Sequence, residues 1–190
     1  MTKLLKFEKL TNTSWLNLFF IKYKNSKNKI VEWYFASRRE NPLLKTEKPN
    51  AVVIIPFIQD KIVLIKQYRA SIQNYLIECP AGFMDPEEKI IDTARRELKE
   101  ETGLKIIAYK EFDNVLHSCA SSTDDSVSYV FAKCGGIPTS KGAEDTEEIE
   151  IFTLTREEVN EFLKKETLFS DRCWLILQAY INGFDWFKEL

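Results

Sequence analysis

The stretch Gly82 to Leu104, GFMDPEEKIIDTARRELKEETGL, places Glu97, Glu100 and Glu101 at i, i+3 and i+4, so on a helix their carboxylates converge over its last turn and a half. The spacing predicts that helix: Asp85 caps its start, Pro86 suits the first turn and Glu88 takes the reciprocal capping position. Ile91, Ala94 and Leu98 form the buried stripe and Gly103 ends it. Acids at the negative end of a helix dipole each cost about 0.3 to 1 kcal/mol, and like-charged neighbours add to that. A hard dication reverses the sign, because Mg²⁺ takes clustered carboxylate oxygens together with substrate phosphate oxygens.

A solvated acidic face is the ordinary reading of a glutamate-rich helix, and the wider spacing overrides it. Gly82, Glu88, Arg96, Glu97, Leu98, Glu100, Glu101, Gly103 and Leu104 follow G-x5-E-x7-R-E-L-x-E-E-x-G-L, which resembles the Nudix box at all nine positions. A chance match is on the order of 10⁻¹⁰ per window at average residue usage. The box is the signature of hydrolases that act on nucleoside diphosphates linked to another group. The resemblance covers residues 48 to 190 and implies an α+β fold, a Nudix α/β/α sandwich with a mixed sheet. It implies Glu97 and Glu101 as the principal Mg²⁺ ligands, with Mn²⁺ as the alternative ion. Glu100 would be a further ligand or a water-orienting catalytic group, and the backbone carbonyl of Ala81 an additional ligand. Arg96 would pair with the box carboxylates and hold their rotamers.

Along the rest of the chain, WLNLFFIKYKN, SKNK and IVEWYFASRR read as a β-hairpin, and the charged, proline-closed KTEKP at Lys45 to Pro49 marks a soft boundary. Residues 1–48 are thus expected to form a small N-terminal antiparallel β appendage and residues 49–190 the hydrolase domain. AVVIIPFI and IVLIKQYR make a second hairpin, YLIECPAGF a strand running into a Pro-Ala-Gly break, and KIIAYKEFDNVLH, VSYVFAKC and IEIFTL further strands. Thr155 to Glu158 is a capping box that opens a helix, and a closing helix runs between Ser170 and Gly183.

Lys+Arg 27 against Asp+Glu 29 gives a net charge of −2, which argues against nucleic-acid or anionic-membrane partners. No apolar run approaches the roughly 20 residues of a membrane helix, and the N-terminus lacks the pattern of a signal peptide, so a cytoplasmic location is expected. Cys79, Cys119, Cys134 and Cys173 lack metal-ligand spacing, and with His117 the only histidine they read as reduced, mostly buried thiols.

Gln67-Tyr68-Arg69 followed by Glu78-Cys-Pro-Ala-Gly82 is similar to the approach to the box in ADP-ribose pyrophosphatases. That subgroup implies a homodimer built through the N-terminal sheet and a nucleoside diphosphate sugar as small-molecule substrate. Glu32-Trp33 to Ser37-Arg38 resembles the segment whose Trp stacks on adenine and whose Arg contacts the ligand. Packing at a dimer interface is the alternative role for Trp33. Arg69 is a candidate for the diphosphate or for a surface ion pair. Glu147 is the best match to the glutamate that orients or deprotonates the attacking water, with Glu144, Glu148 and Glu100 as alternatives. The chain departs from the subgroup at Ser118-Cys119-Ala120-Ser121, where a proline is usual, and this admits other ADP-sugars. Rival readings are a GDP-sugar or oxidised-nucleotide hydrolase, and a Nudix-fold module that binds a nucleotide sugar without cleaving it.

Overall fold

The two apolar strands of the second expected hairpin are buried on both faces, and they anchor the large sheet. In the computed structural model, which describes residues 2–44, 48–143 and 148–188 apart from the side chain of Asp113, they are β4 (Ala51–Ile58) and β5 (Lys61–Arg69). The chain forms two compact units, Met1–Asn50 with Asn114–Val127, and Ala51–Asp113 with Ser128–Leu190.

In the first unit β1 (Lys3–Lys9), β2 (Asn17–Lys24) and β3 (Ile30–Ser37) form an antiparallel sheet in that order. The hairpin expected from sequence is β2 and β3, turning through Asn28 at φ 60. β1 was not legible, because its lysines mask the alternation. What secures it is Phe7, stacked at 5.4 Å on the fully buried Phe19, which stacks in turn on Phe35 at 5.7 Å.

The large sheet is mixed and runs β10-β5-β4-β9-β8, with β6 beside β5 and β7 beside β4. Here β6 is Asn74–Glu78, β7 Ala81–Phe83, β8 Lys105–His117, β9 Ser126–Gly135 and β10 Ile149–Leu154. β4 and β5 pair only at their turn, Phe57 with Ile62 and Ile58 with Lys61, and then diverge. β6 takes the edge of β5 that β4 has left, and β7 pairs with Ala51 to Val53. The break expected in YLIECPAGF is present, at Cys79-Pro80, but the chain resumes beyond it as β7, and this wedge delivers Ala81 and Gly82 to the helix beside them.

That helix, α1 (Ile90–Thr102), buries Ile91, Ala94 and Leu98 against Val52, Ile54, Val63, Val130, Ala132 and Cys134. It ends at Gly103, whose φ of 70 lies in the left-handed region and whose N–H bonds to the Lys99 carbonyl at 2.9 Å. It starts later than expected. Asp85 to Glu88 is a turn closed by Glu88 N–H on the Asp85 carbonyl at 3.0 Å, and Lys89 is the N-cap with no side-chain capping bond. Glu88 does reach the Asp85 N–H at 3.1 Å, so the reciprocal contact exists but closes a turn ahead of the helix.

α2 (Arg156–Lys165) opens with the expected box: Glu158 N–H donates to Thr155 Oγ1 at 3.2 Å and Thr155 N–H to Glu158 Oε2 at 2.8 Å. α3 (Asp171–Ile181) starts at Ser170, which accepts from Cys173 N–H at 3.3 Å, and Gly183 follows it at φ 84. Cys79, Cys134 and Cys173 are buried thiols, whereas Cys119 is exposed. No helix among the described residues is long and apolar enough to cross a membrane.

Leu98 is fully buried. Leu98→Ala is expected to lower the unfolding free energy by about 2–5 kcal/mol through lost burial and the residual cavity, measured as a shift of the urea midpoint at unchanged slope.

Candidate active site

The Cys79-Pro80 break turns the chain so that the next peptide units face the last turns of α1. Ala81 N–H donates to Glu101 Oε2 at 3.1 Å, and Glu101 is only 3% exposed. Gly82 lies under Glu97. A Cβ built there would stand 1.8 Å from the Glu97 carboxyl carbon and 1.9 Å from one of its oxygens, so only glycine lets that carboxylate occupy its place.

Arg96 is the cation between the acids. Its Nη1 donates to Glu97 Oε1 at 2.6 Å and to Glu100 Oε2 at 3.3 Å. Its Nε and Nη2 reach Glu88 Oε1 and Oε2, both at 3.0 Å, a bidentate fork, and Nη2 also donates to the Phe83 carbonyl at 2.9 Å. Thr93 Oγ1 completes the anchor on Glu88 Oε2 at 2.8 Å. Arg96 holds the Glu88 carboxyl down at about 2 from its usual 4.5, with the Asp85 N–H and the Thr93 hydroxyl adding to the effect. Glu88 in turn is the main cause that keeps Arg96 more firmly protonated than usual.

The structure thus brings Ala81, Glu97, Glu100, Glu101 and Arg96 into one cluster along α1 and β7. Glu88 was expected only to cap; its clamp on Arg96 reaches from the turn ahead of the helix, so no helical spacing signalled the pair. Among the described residues no three His, Cys, Asp or Glu side chains converge as a preformed metal cage. Arg96 bridges Glu97 to Glu100, while Glu101 turns to the Ala81 peptide. The donor set nonetheless fits a hard dication, since every side chain offers oxygen and the vacant Cβ position at Gly82 shapes the seat of Glu97.

The other expected site residues make contacts of their own. Arg69, at the end of β5, pairs through Nε with Glu78 Oε2 at 2.6 Å. Trp33 and Arg38 belong to the N-terminal unit. The Trp33 indole donates to the Ser121 carbonyl at 2.9 Å, and Arg38 Nε is 3.9 Å from Asp125 Oδ1. Glu144 and Glu147 lie outside the described residues. Glu148 accepts a hydrogen bond from the Tyr75 hydroxyl.

Residues 47–175 match the family model described as NUDIX domain. The chain is 35% identical over 96 residues, 49% of its length, to "ADP-ribose pyrophosphatase" of Saccharomyces cerevisiae, and covers 42% of that protein. It is 35% identical over 73 residues, 38% of its length, to "ADP compounds hydrolase NudE" of Escherichia coli, and covers 39% of it. The chain therefore spans less than half the length of these two relatives. A solved structure titled "Crystal structure of ADP compounds hydrolase" superposes with a TM-score of 0.76 at 19% identity, covering 95% of this chain and 92% of that one, which shows a shared fold.

Because Glu88 is depressed in the folded state, its contribution to stability is fully present above about pH 4.5 and is lost as pH falls towards about 2. Urea unfolding of the wild type and Glu88→Gln is expected to give a clear stability gap at pH 7 that narrows through this window and closes near its foot.

Proposed function

The chain belongs to the Nudix hydrolase family, and we propose that within it the enzyme hydrolyses the diphosphate bond of ADP-ribose or a similar nucleoside diphosphate sugar, giving a nucleoside monophosphate and a sugar phosphate. The observation that carries this reading is the clamp in which Glu88 fixes Arg96 and Arg96 fixes Glu97 and Glu100 above the Ala81-Gly82 peptide. The similarity to an ADP-ribose pyrophosphatase and to an ADP compounds hydrolase supports the substrate class.

In this reading Glu97, Glu101, Glu100 and the Ala81 carbonyl would hold the divalent ion. When bound, Mg²⁺, or Mn²⁺ in its place, supplies positive charge against the diphosphate and Lewis acidity. Arg96 is a positioning residue whose guanidinium keeps Glu97 and Glu100 in place before substrate arrives, so less reorganisation accompanies the reaction. Glu147 is proposed to accept the proton of the attacking water, with Glu144, Glu148 and Glu100 as alternatives that Gln variants separate by rate. Arg69 would exchange its pairing with Glu78 for phosphate oxygens, and Trp33 and Arg38 would receive the nucleoside half. Residues 1–48 are proposed to act as the appendage that forms a homodimer: Trp15 is 79% exposed and Ile30 61%, apolar surface that a second copy would cover.

Turnover of ADP-ribose, read as phosphate release in a phosphatase-coupled assay with Mg²⁺, tests the activity. Glu101→Gln is expected to lower kcat by on the order of 10²-fold or more with the thermal midpoint nearly unchanged. Gly82→Ala, which drives a methyl group into the seat of Glu97, should lower it in the same direction. Wild-type rates in Glu101→Gln would overturn the site, and no turnover on a panel of diphosphates combined with tight nucleotide-sugar binding would favour the binding module.

A further inference from the structure

β3 is the edge strand of the N-terminal sheet, and the loop 118–125 between β8 and β9 covers its open side. Ala36 N–H donates to the Ser122 carbonyl at 2.8 Å, and Ala36 forms an isolated parallel bridge with Thr123. The loop is shaped before it docks. Ser122 and Thr123 N–H both point to the Cys119 carbonyl, at 3.0 and 2.9 Å, and Ser118 N–H closes the base on the Asp125 carbonyl at 3.0 Å.

Two contacts then reach one face of β3. Trp33 and Ser37 are four residues apart on a strand and so share that face. The Ser121 carbonyl accepts the Trp33 indole N–H at 2.9 Å. Asp124 Oδ2 accepts the hydroxyl of the fully buried Ser37 at 3.0 Å and Arg39 Nη1 at 3.3 Å, while Ser37 Oγ accepts the Arg39 N–H at 3.0 Å. The indole is thereby tethered at its N–H although Trp33 remains 46% exposed. An exposed aromatic face with its rotamer already chosen is a stacking platform that loses little side-chain freedom when a planar ligand arrives.

We propose that the loop 118–125 is the positioning element for the substrate's nucleobase: the Ser121 carbonyl and the Asp124 latch on Ser37 set the plane of Trp33. This rests on the reading that the substrate is a nucleoside diphosphate sugar. Asp124 and Ser37 act through Trp33, so their removal weakens recognition of the base and leaves recognition of the phosphorylated sugar intact. The segment Ser118-Cys119-Ala120-Ser121 is then the part of the chain that tunes which base is accepted, because it supplies the carbonyl that aims the ring.

Calorimetric titration in Mg²⁺ buffer with two ligands that cannot be turned over, AMP and ribose 5-phosphate, tests this on the full chain. Ser37→Ala and Asp124→Ala are each expected to weaken AMP binding at least about fivefold while ribose 5-phosphate changes by less than about twofold. Asp124→Ala is the variant at risk of misfolding, and Ser37→Ala, which removes one oxygen atom, keeps the test decisive if that happens. Unchanged AMP affinity in Ser37→Ala, an equal loss for both ligands, or wild-type protein that does not bind AMP overturns the proposal. Hydrolysis of ADP-ribose by the wild type is scored separately, so a protein that binds AMP as expected but cleaves nothing sinks the activity and leaves the positioning role standing.

Discussion

The guanidinium of Arg96 is the interaction on which the site depends. Three carboxylates near the C-terminal end of a helix repel one another and the helix dipole, and an arrangement of this kind persists only if positive charge is held among them. Arg96 supplies that charge from within the same helix, touching Glu97 and Glu100 with one nitrogen. It can do so because the rest of its fork is already committed to Glu88 and to the Phe83 carbonyl. Rigidity flows from the turn before the helix, through one side chain, to the acids at the other end.

The sheet provides the second half of the constraint. β4 and β5 separate after their turn, β6 and β7 occupy the gap, and the break between them presents the Ala81 N–H and the bare Cα of Gly82 to the helix. Glycine is required there for a steric reason rather than for a special backbone angle, since the Glu97 carboxylate fills the volume a side chain would occupy. Burial of Leu98 and Ala94 on the adjoining apolar side of α1, with Glu101 buried beside them, fixes how the acidic side addresses this peptide. A small change at either contact surface would turn the glutamates relative to the wedge.

Much of this was legible in the sequence, and the parts that were not share a cause. Capping at Thr155 and Ser170 follows local rules, because a hydroxyl and a backbone donor three residues away need no tertiary partner. The stripe Ile91, Ala94, Leu98 is likewise set by helical period. By contrast, the Asp85-Pro86 start was misplaced because the Glu88 carboxylate, expected to cap, is drawn to Arg96 and Thr93 as well as to Asp85. β1 was missed because its lysine-rich pattern carries no signal without the Phe7 to Phe19 stack. The Pro-Ala-Gly break was readable, but the pairing of β7 with β4 and the loop on β3 depend on strand edges supplied by distant parts of the chain. Local chemistry was readable; edge pairing and charge networks that span the fold were not.

Manganese binding followed by electron paramagnetic resonance, comparing the wild type with Arg96→Lys, tests most directly whether one guanidinium organises the acids. Lysine keeps the charge but loses the fork that joins Glu88 to Glu97 and Glu100. A loss of about 10- to 100-fold in Mn²⁺ affinity, in protein whose far-ultraviolet circular dichroism is unchanged, is the predicted result. Equal affinity in the two proteins would show that the carboxylates find their places without Arg96, and would contradict the account.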